Sequence, residues 1–167
     1  MTDETPARAE GLRGDELTVR ELVALRLMLD DALRRGRTAG RYSRGSAVVA
    51  LDATVERVTY LVAQSRGLSP APRATLPDVY SKVKQDLAGV WEPKVWPLIN
   101  KLHLERNKVQ HQSLEPDRDQ LPSWVQAVES YVVSLVRVEY NIDIRRVVLA
   151  DAIEDPELST LIRKCGG

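Results

Sequence analysis

The sequence predicts an all-α fold, a four- to five-helix up-and-down bundle with a short C-terminal appendage helix. Two observations carry that expectation. Apolar residues recur at spacings of three and four along five windows, the period of one helix face. Glycines and prolines fall at the ends of those windows or between them, where they punctuate a helix instead of breaking it.

The first helix is expected over about Asp15–Arg35, with Leu22, Leu25, Leu29 and Leu33 facing inward, Asp15 as N-cap and Gly36 as the stop signal. Residues 1–14, polar and holding Pro6, Gly11 and Gly14, read as a flexible lead-in. The second helix spans about Ser46–Arg66, with a stripe of Val48, Leu51, Val55, Val58 and Val62; Asp52 and Glu56 are placed on a flank of that stripe. The third runs over about Pro77–Val90 with Val79, Val83 and Leu87 inward. Pro93 and Pro97 interrupt the pattern that follows, and Trp91 and Trp96 read as packing residues. The fourth helix starts near Pro93 or Pro97 and reaches Gln112. The fifth covers about Leu121–Tyr140, with Pro122 in its first turn. These helices make one bundle over 15–141, and 142–167 is an appendage. In it, Ile142-Asp143-Ile144 alternates like a strand, and Asp155 and Pro156 open a last helix to Lys164.

Composition narrows the function. The chain has 167 residues, enough for one domain with a real core. Lys plus Arg and Asp plus Glu both number 24, so any contact with RNA needs a local patch and not a globally basic surface. The basic candidate is Arg34, Arg35, Arg37, Arg41 and Arg44 around Tyr42: phosphate ligands with a ring for base stacking, or a solvated helix end. Cys165 is the single cysteine, so a disulfide framework and a cysteine-rich zinc site are excluded and a reducing compartment is expected. The polar opening Met1–Thr5 does not read as a secretory signal, and no uncharged run reaches membrane-spanning length. A cytoplasmic location without membrane contact is therefore expected.

The densest chemistry lies on the fourth helix. Val95, Ile99, Leu102, Arg106 and Val109 share one stripe, so Arg106 falls among apolar residues. A guanidinium cannot shed its charge and needs acidic or carbonyl partners there. Asp52 and Glu56 are the candidates, unless both face solvent. Asn100, Leu104, Asn107 and His111 form a second stripe, roughly 120–180° round the helix. His103 sits between the two stripes in a structural or surface role, and Lys108 either adds phosphate attraction or is solvated. Arg106 and His111 are about 140° apart on the helix, so two copies about a dyad would serve better than one chain to bring them into one cleft. Geometry also accommodates an all-α adaptor in which Arg106 ties helices together and His111 lies on the surface. No glycine-rich phosphate loop, nucleophile elbow or metal-spaced ligand set appears in the sequence.

Arg106-Asn107-Lys108-Val109-Gln110-His111 resembles the signature of the HEPN superfamily, an arginine followed after four to six residues by histidine, commonly with a polar residue directly after the arginine. Ala50–Glu56 is similar to the second helix of many members, so the resemblance covers residues 15–140. It implies a late helix of a four- or five-helix bundle carrying the site of a metal-independent endoribonuclease. Such a protein works as a homodimer without a cofactor, in a prokaryotic defence, toxin–antitoxin or stress system, with an antitoxin or defence protein as a further partner. On that resemblance Arg106 binds the scissile phosphate, His111 is general acid or base, and Asn107 orients one of them. The residue types suit the reaction: RNA supplies its 2′-hydroxyl as nucleophile, histidine exchanges protons near neutrality, and arginine meets the charge gained at phosphorus. A 2′,3′-cyclic phosphate and a 5′-hydroxyl are the expected ends. The chain departs from some members at Ser113, where they carry a tyrosine that is adenylylated, so that form of regulation is not expected here. The superfamily also includes silent members, and the alternative is a HEPN-like domain that binds a nucleotide, RNA or protein without cutting.

Overall fold

The computed structural model describes residues 16–152 and Lys164. The expected lead-in over 1–14, the cap at Asp15 and the last helix from Asp155 lie outside the described residues. Five α-helices make up the described fold: α1 (Glu16–Thr38), α2 (Arg44–Ser65), α3 (Leu76–Asp86), α4 (Trp96–Gln112) and α5 (Leu121–Tyr140). The architecture is all-α, and short 3-10 turns stand at Arg41–Ser43, Arg118–Gln120, Ile144–Arg146 and Leu149–Ala152.

The helix α2 is the axis of the packing, in contact with each of the other four. Its expected stripe of Val48, Leu51, Val55, Val58 and Val62 is wholly buried. Being surrounded, it buries polar side chains as well: Asp52, Thr54 and Thr59. The threonines satisfy themselves within the helix, Thr54 Oγ1 donating to the Ala50 carbonyl at 2.8 Å and Thr59 Oγ1 to that of Val55 at 2.7 Å. Thr59 also meets the Tyr131 hydroxyl of α5 at 2.9 Å, and burial pushes that phenol well above its ordinary range. A carboxylate has no such local route, so Asp52 must find partners on another helix.

The sequence expectation that Gly36 ends the first helix is corrected, since α1 continues to Thr38. A Cβ at Gly36 would run into the Val125 side chain of α5. The glycine serves a close helix approach, and that packing outweighs its penalty of about 1 kcal/mol in a helix interior. The third helix is likewise shorter than its apolar pattern suggested. It ends at Asp86, and the following turn uses Gly89 at φ +79. At its start the Asp78 carboxylate accepts from the Thr75 N–H at 2.8 Å and hydroxyl at 2.7 Å, which holds its pKa below the usual range.

The strand-like Ile142-Asp143-Ile144 is corrected to a bend leading into a 3-10 turn. Asp143 caps it, accepting from the Arg145 N–H at 3.1 Å, while Ile144 is fully buried against the bundle. Ile142 packs partly buried against the same core, so the alternation reflects inward side chains, not a pairing edge. Tyr80, Trp91, Trp96 and Tyr131 pack the approach to α4: the Tyr80 and Trp96 rings are parallel with centroids 3.3 Å apart, and Trp91 meets Tyr131 edge-on at 5.4 Å. Trp91 Nε1 donates to Ser134 Oγ at 3.1 Å. With Pro97 in its first turn, α4 thus starts from a fixed platform. No helix among the described residues is long and apolar enough to cross a membrane.

Candidate functional site

The site lies where α4 crosses α2. Ile99 and Leu102, both fully buried, seat α4 on the core. The next residue along that stripe is Arg106, brought by helical phase to the face of α2 that bears Asp52. Asp52 is fully buried and lies four residues after Val48 and three before Val55, inside the core stripe and not on its flank, which corrects the placement drawn from sequence. Arg106 Nε stands 3.3 Å from Asp52 Oδ2, and its outer nitrogen stands 3.8 Å from Glu56 Oε1, one turn along α2. Arg106 also donates to Asn107 Oδ1 at 3.0 Å. Asn107 therefore steadies the guanidinium. The arginine side chain remains 25% exposed.

His103 joins the same carboxylate. Its Nδ1 lies 3.1 and 3.2 Å from the two Asp52 oxygens and 3.8 Å from Glu56 Oε1. Sequence reasoning left His103 between two stripes, yet the signal was available: it stands three residues before Arg106, the spacing at which side chains share a helix face. Burial pushes the Asp52 carboxyl above its ordinary range; His103 pulls it down, Glu56 adds to the rise, and Arg106 opposes it.

One donor atom each from Asp52, Glu56 and His103 lies within 4.8 Å of the others, a ligand set that spacing along the chain did not reveal. Two carboxylates and an imidazole suit a divalent transition ion by type. Here the Arg106 guanidinium already faces both carboxylates and supplies positive charge to the cluster.

His111 is exposed in the last turn of α4 and its side chain makes no hydrogen bond or ion pair among the described residues. Among the described residues nothing joins it to Arg106. The helix ends directly after, at Ser113 with φ 52 in the left-handed region. Lys108 pairs with Glu105 at 3.0 Å on the outer face.

The arginines of the basic stretch are drawn into pairs. Arg34 and Arg35 share Asp31, and Arg37 reaches Glu129 at 3.0 Å. Arg41 and Arg44 stand 3.5 and 3.6 Å from Glu115, and Arg44 donates to the Pro116 carbonyl at 3.2 Å. Arg44, 15% exposed, is thus a tether between the start of α2 and the loop after α4. Tyr42 is 95% exposed, with the Arg41 guanidinium 5.9 Å from its ring centroid. These contacts, and the approach of Gly45 to Val109, bring the Arg41–Arg44 segment beside the end of α4 that carries His111. No protein-family model, curated protein or solved structure matches the chain.

Proposed function

We propose that the chain is a metal-independent endoribonuclease of HEPN type, active as a homodimer. The observation that supports this best is the Arg106 side chain. It is anchored by Asp52 and Asn107 while the side chain stays 25% exposed, on the same helix as an exposed His111 whose side chain has no partner among the described residues. An anchored guanidinium is a preorganised phosphate site, since it need not reorient as charge builds on phosphorus. An exposed histidine with no partner among the described residues is free to complete a cleft with a second copy. Tyr42, next to the end of that helix, offers a base a stacking platform. In the reaction the RNA 2′-hydroxyl attacks its own phosphate, Arg106 stabilises the pentavalent centre, and His111 transfers a proton. A defence, toxin–antitoxin or stress setting follows from the same resemblance.

One observation favours a second reading. Arg106 already faces two carboxylates and the whole chain has a formal net charge of +0, which suits a silent HEPN-like domain that binds a nucleotide, RNA or protein. An RNA digestion gel separates the readings. Wild type cleaves and His111→Ala does not if the chain is a nuclease. If neither cuts, and Arg106→Ala alone loses bound RNA, the silent reading replaces it. Light scattering on the purified protein gives twice the chain mass under the dimeric reading, and a strict monomer contradicts it.

A further inference from the structure

We infer that His103 is the general base of this site, held by Asp52 and taking the 2′-hydroxyl proton through its Nε2; the inference rests on the ribonuclease reading. Cleavage by 2′-hydroxyl attack moves two protons. One leaves the nucleophile, and one must reach the 5′-oxygen as it departs. The chain has two histidines, both on α4. They stand in opposite environments.

Asp52, buried and fixed in α2, meets Nδ1 of His103 with both oxygens. The charges facing His103 are Asp52 and Glu56 from α2 and Arg106 from its own helix. A carboxylate accepting the Nδ1 hydrogen fixes the tautomer and leaves the Nε2 lone pair as the free site of the neutral ring. A proton then taken up at Nε2 gives an imidazolium that the same carboxylate stabilises, the orienting logic of a histidine–aspartate pair. The His103 side chain keeps 12% of its surface exposed, and among the described residues its Nε2 has no partner and Trp124 Nε1 is the sole buried side-chain nitrogen or oxygen without one. Arg106 shares Asp52 with His103, so one buried acid sets the position of both the base and the phosphate ligand. The sequence signature contains Arg106 and His111 but not His103.

The step balances as follows. The 2′-O–H proton passes to His103 Nε2 as the 2′-oxygen bonds to phosphorus. The P–O5′ bond breaks, and the 5′-oxygen takes a proton from the His111 imidazolium. The products are a 2′,3′-cyclic phosphate and a 5′-hydroxyl, and no other reactant is consumed.

The test uses the full chain and a defined RNA oligonucleotide, with and without EDTA, and single-turnover rates measured across pH. His103→Gln keeps an amide N–H for Asp52 but cannot take a proton, and His103→Ala opens space for added imidazole. Both should lower the rate about 100-fold or more, within the span of general acid–base catalysis. The rising limb of the wild-type pH profile should flatten in both, and imidazole should restore part of the rate to His103→Ala, which a purely structural histidine would not allow. Wild-type rates and profile in His103→Gln overturn the inference while the ribonuclease reading stands. Loss of wild-type activity in EDTA reassigns Asp52, Glu56 and His103 to a metal ion and also overturns it. No cleavage by the wild type with or without EDTA removes the ribonuclease reading, and this inference with it.

Discussion

Asp52 decides what the residues around it can do. A buried carboxyl with no hydrogen-bond partner on its own helix is tolerable only if opposite charge comes from elsewhere, and Arg106 and His103 bring it across the α2–α4 contact. Arg106→Ala removes the fixed cation from a fully buried acid. We expect a loss of about 2 kcal/mol in urea unfolding, less than for an enclosed pair because Arg106 is partly solvated and His103 remains. The pH dependence has a definite sign. The folded carboxyl of Asp52 is raised, so the native state holds this proton more tightly than the unfolded chain does. Its contribution favours folding below the ordinary Asp range and weakens as pH rises through the folded value. Asp52→Asn should therefore gain stability relative to wild type as pH climbs through that window, read by thermal melts at each pH; a constant difference would contradict the shift. At this scale the sequence was half legible. An arginine in an apolar stripe demanded an acid, and the demand pointed to α2. The part of His103 was not legible, because a phase of 100° per residue cannot say which flank of α4 meets α2 until the crossing of the two helices is known.

At the scale of elements, the apolar period located helices well and their ends poorly. The stripes of α2 and α5 gave their cores because hydrophobic spacing reports the buried face directly. Gly36 misled, since a glycine near a basic helix end reads as a stop, whereas its role is set by a valine on α5, 89 positions away in sequence. Gly36→Ala tests that role. On an open helix face the change would stabilise by about 1 kcal/mol. Here the new methyl meets Val125, and the net effect should be a loss of about 1–3 kcal/mol, the usual cost of overpacking. Partial recovery in Gly36→Ala with Val125→Ala would locate the clash, and a stabilised single variant would refute it. The end of α3 misled for a related reason: Leu87 and Trp91 continue its apolar pattern and both are buried, but Leu87 is already the C-cap and Gly89 turns the chain before Trp91.

For the whole molecule, the fold class followed from period and punctuation, while the site depends on how helices meet. One packed α2–α4 face brings together Arg106, Asp52, Glu56 and His103; His111 stands apart, exposed at the end of α4 near Tyr42. On the proposed ribonuclease reading, a two-copy assembly would unite these halves, and the chemistry would require a nucleophile that RNA carries and DNA lacks. The decisive measurement gives the purified chain, in EDTA, an RNA oligonucleotide and its all-deoxy counterpart, and identifies the product ends by mass spectrometry. The account predicts cleavage of the RNA alone, leaving a 2′,3′-cyclic phosphate and a 5′-hydroxyl. Intact RNA, or equal cleavage of the deoxy strand, would contradict it.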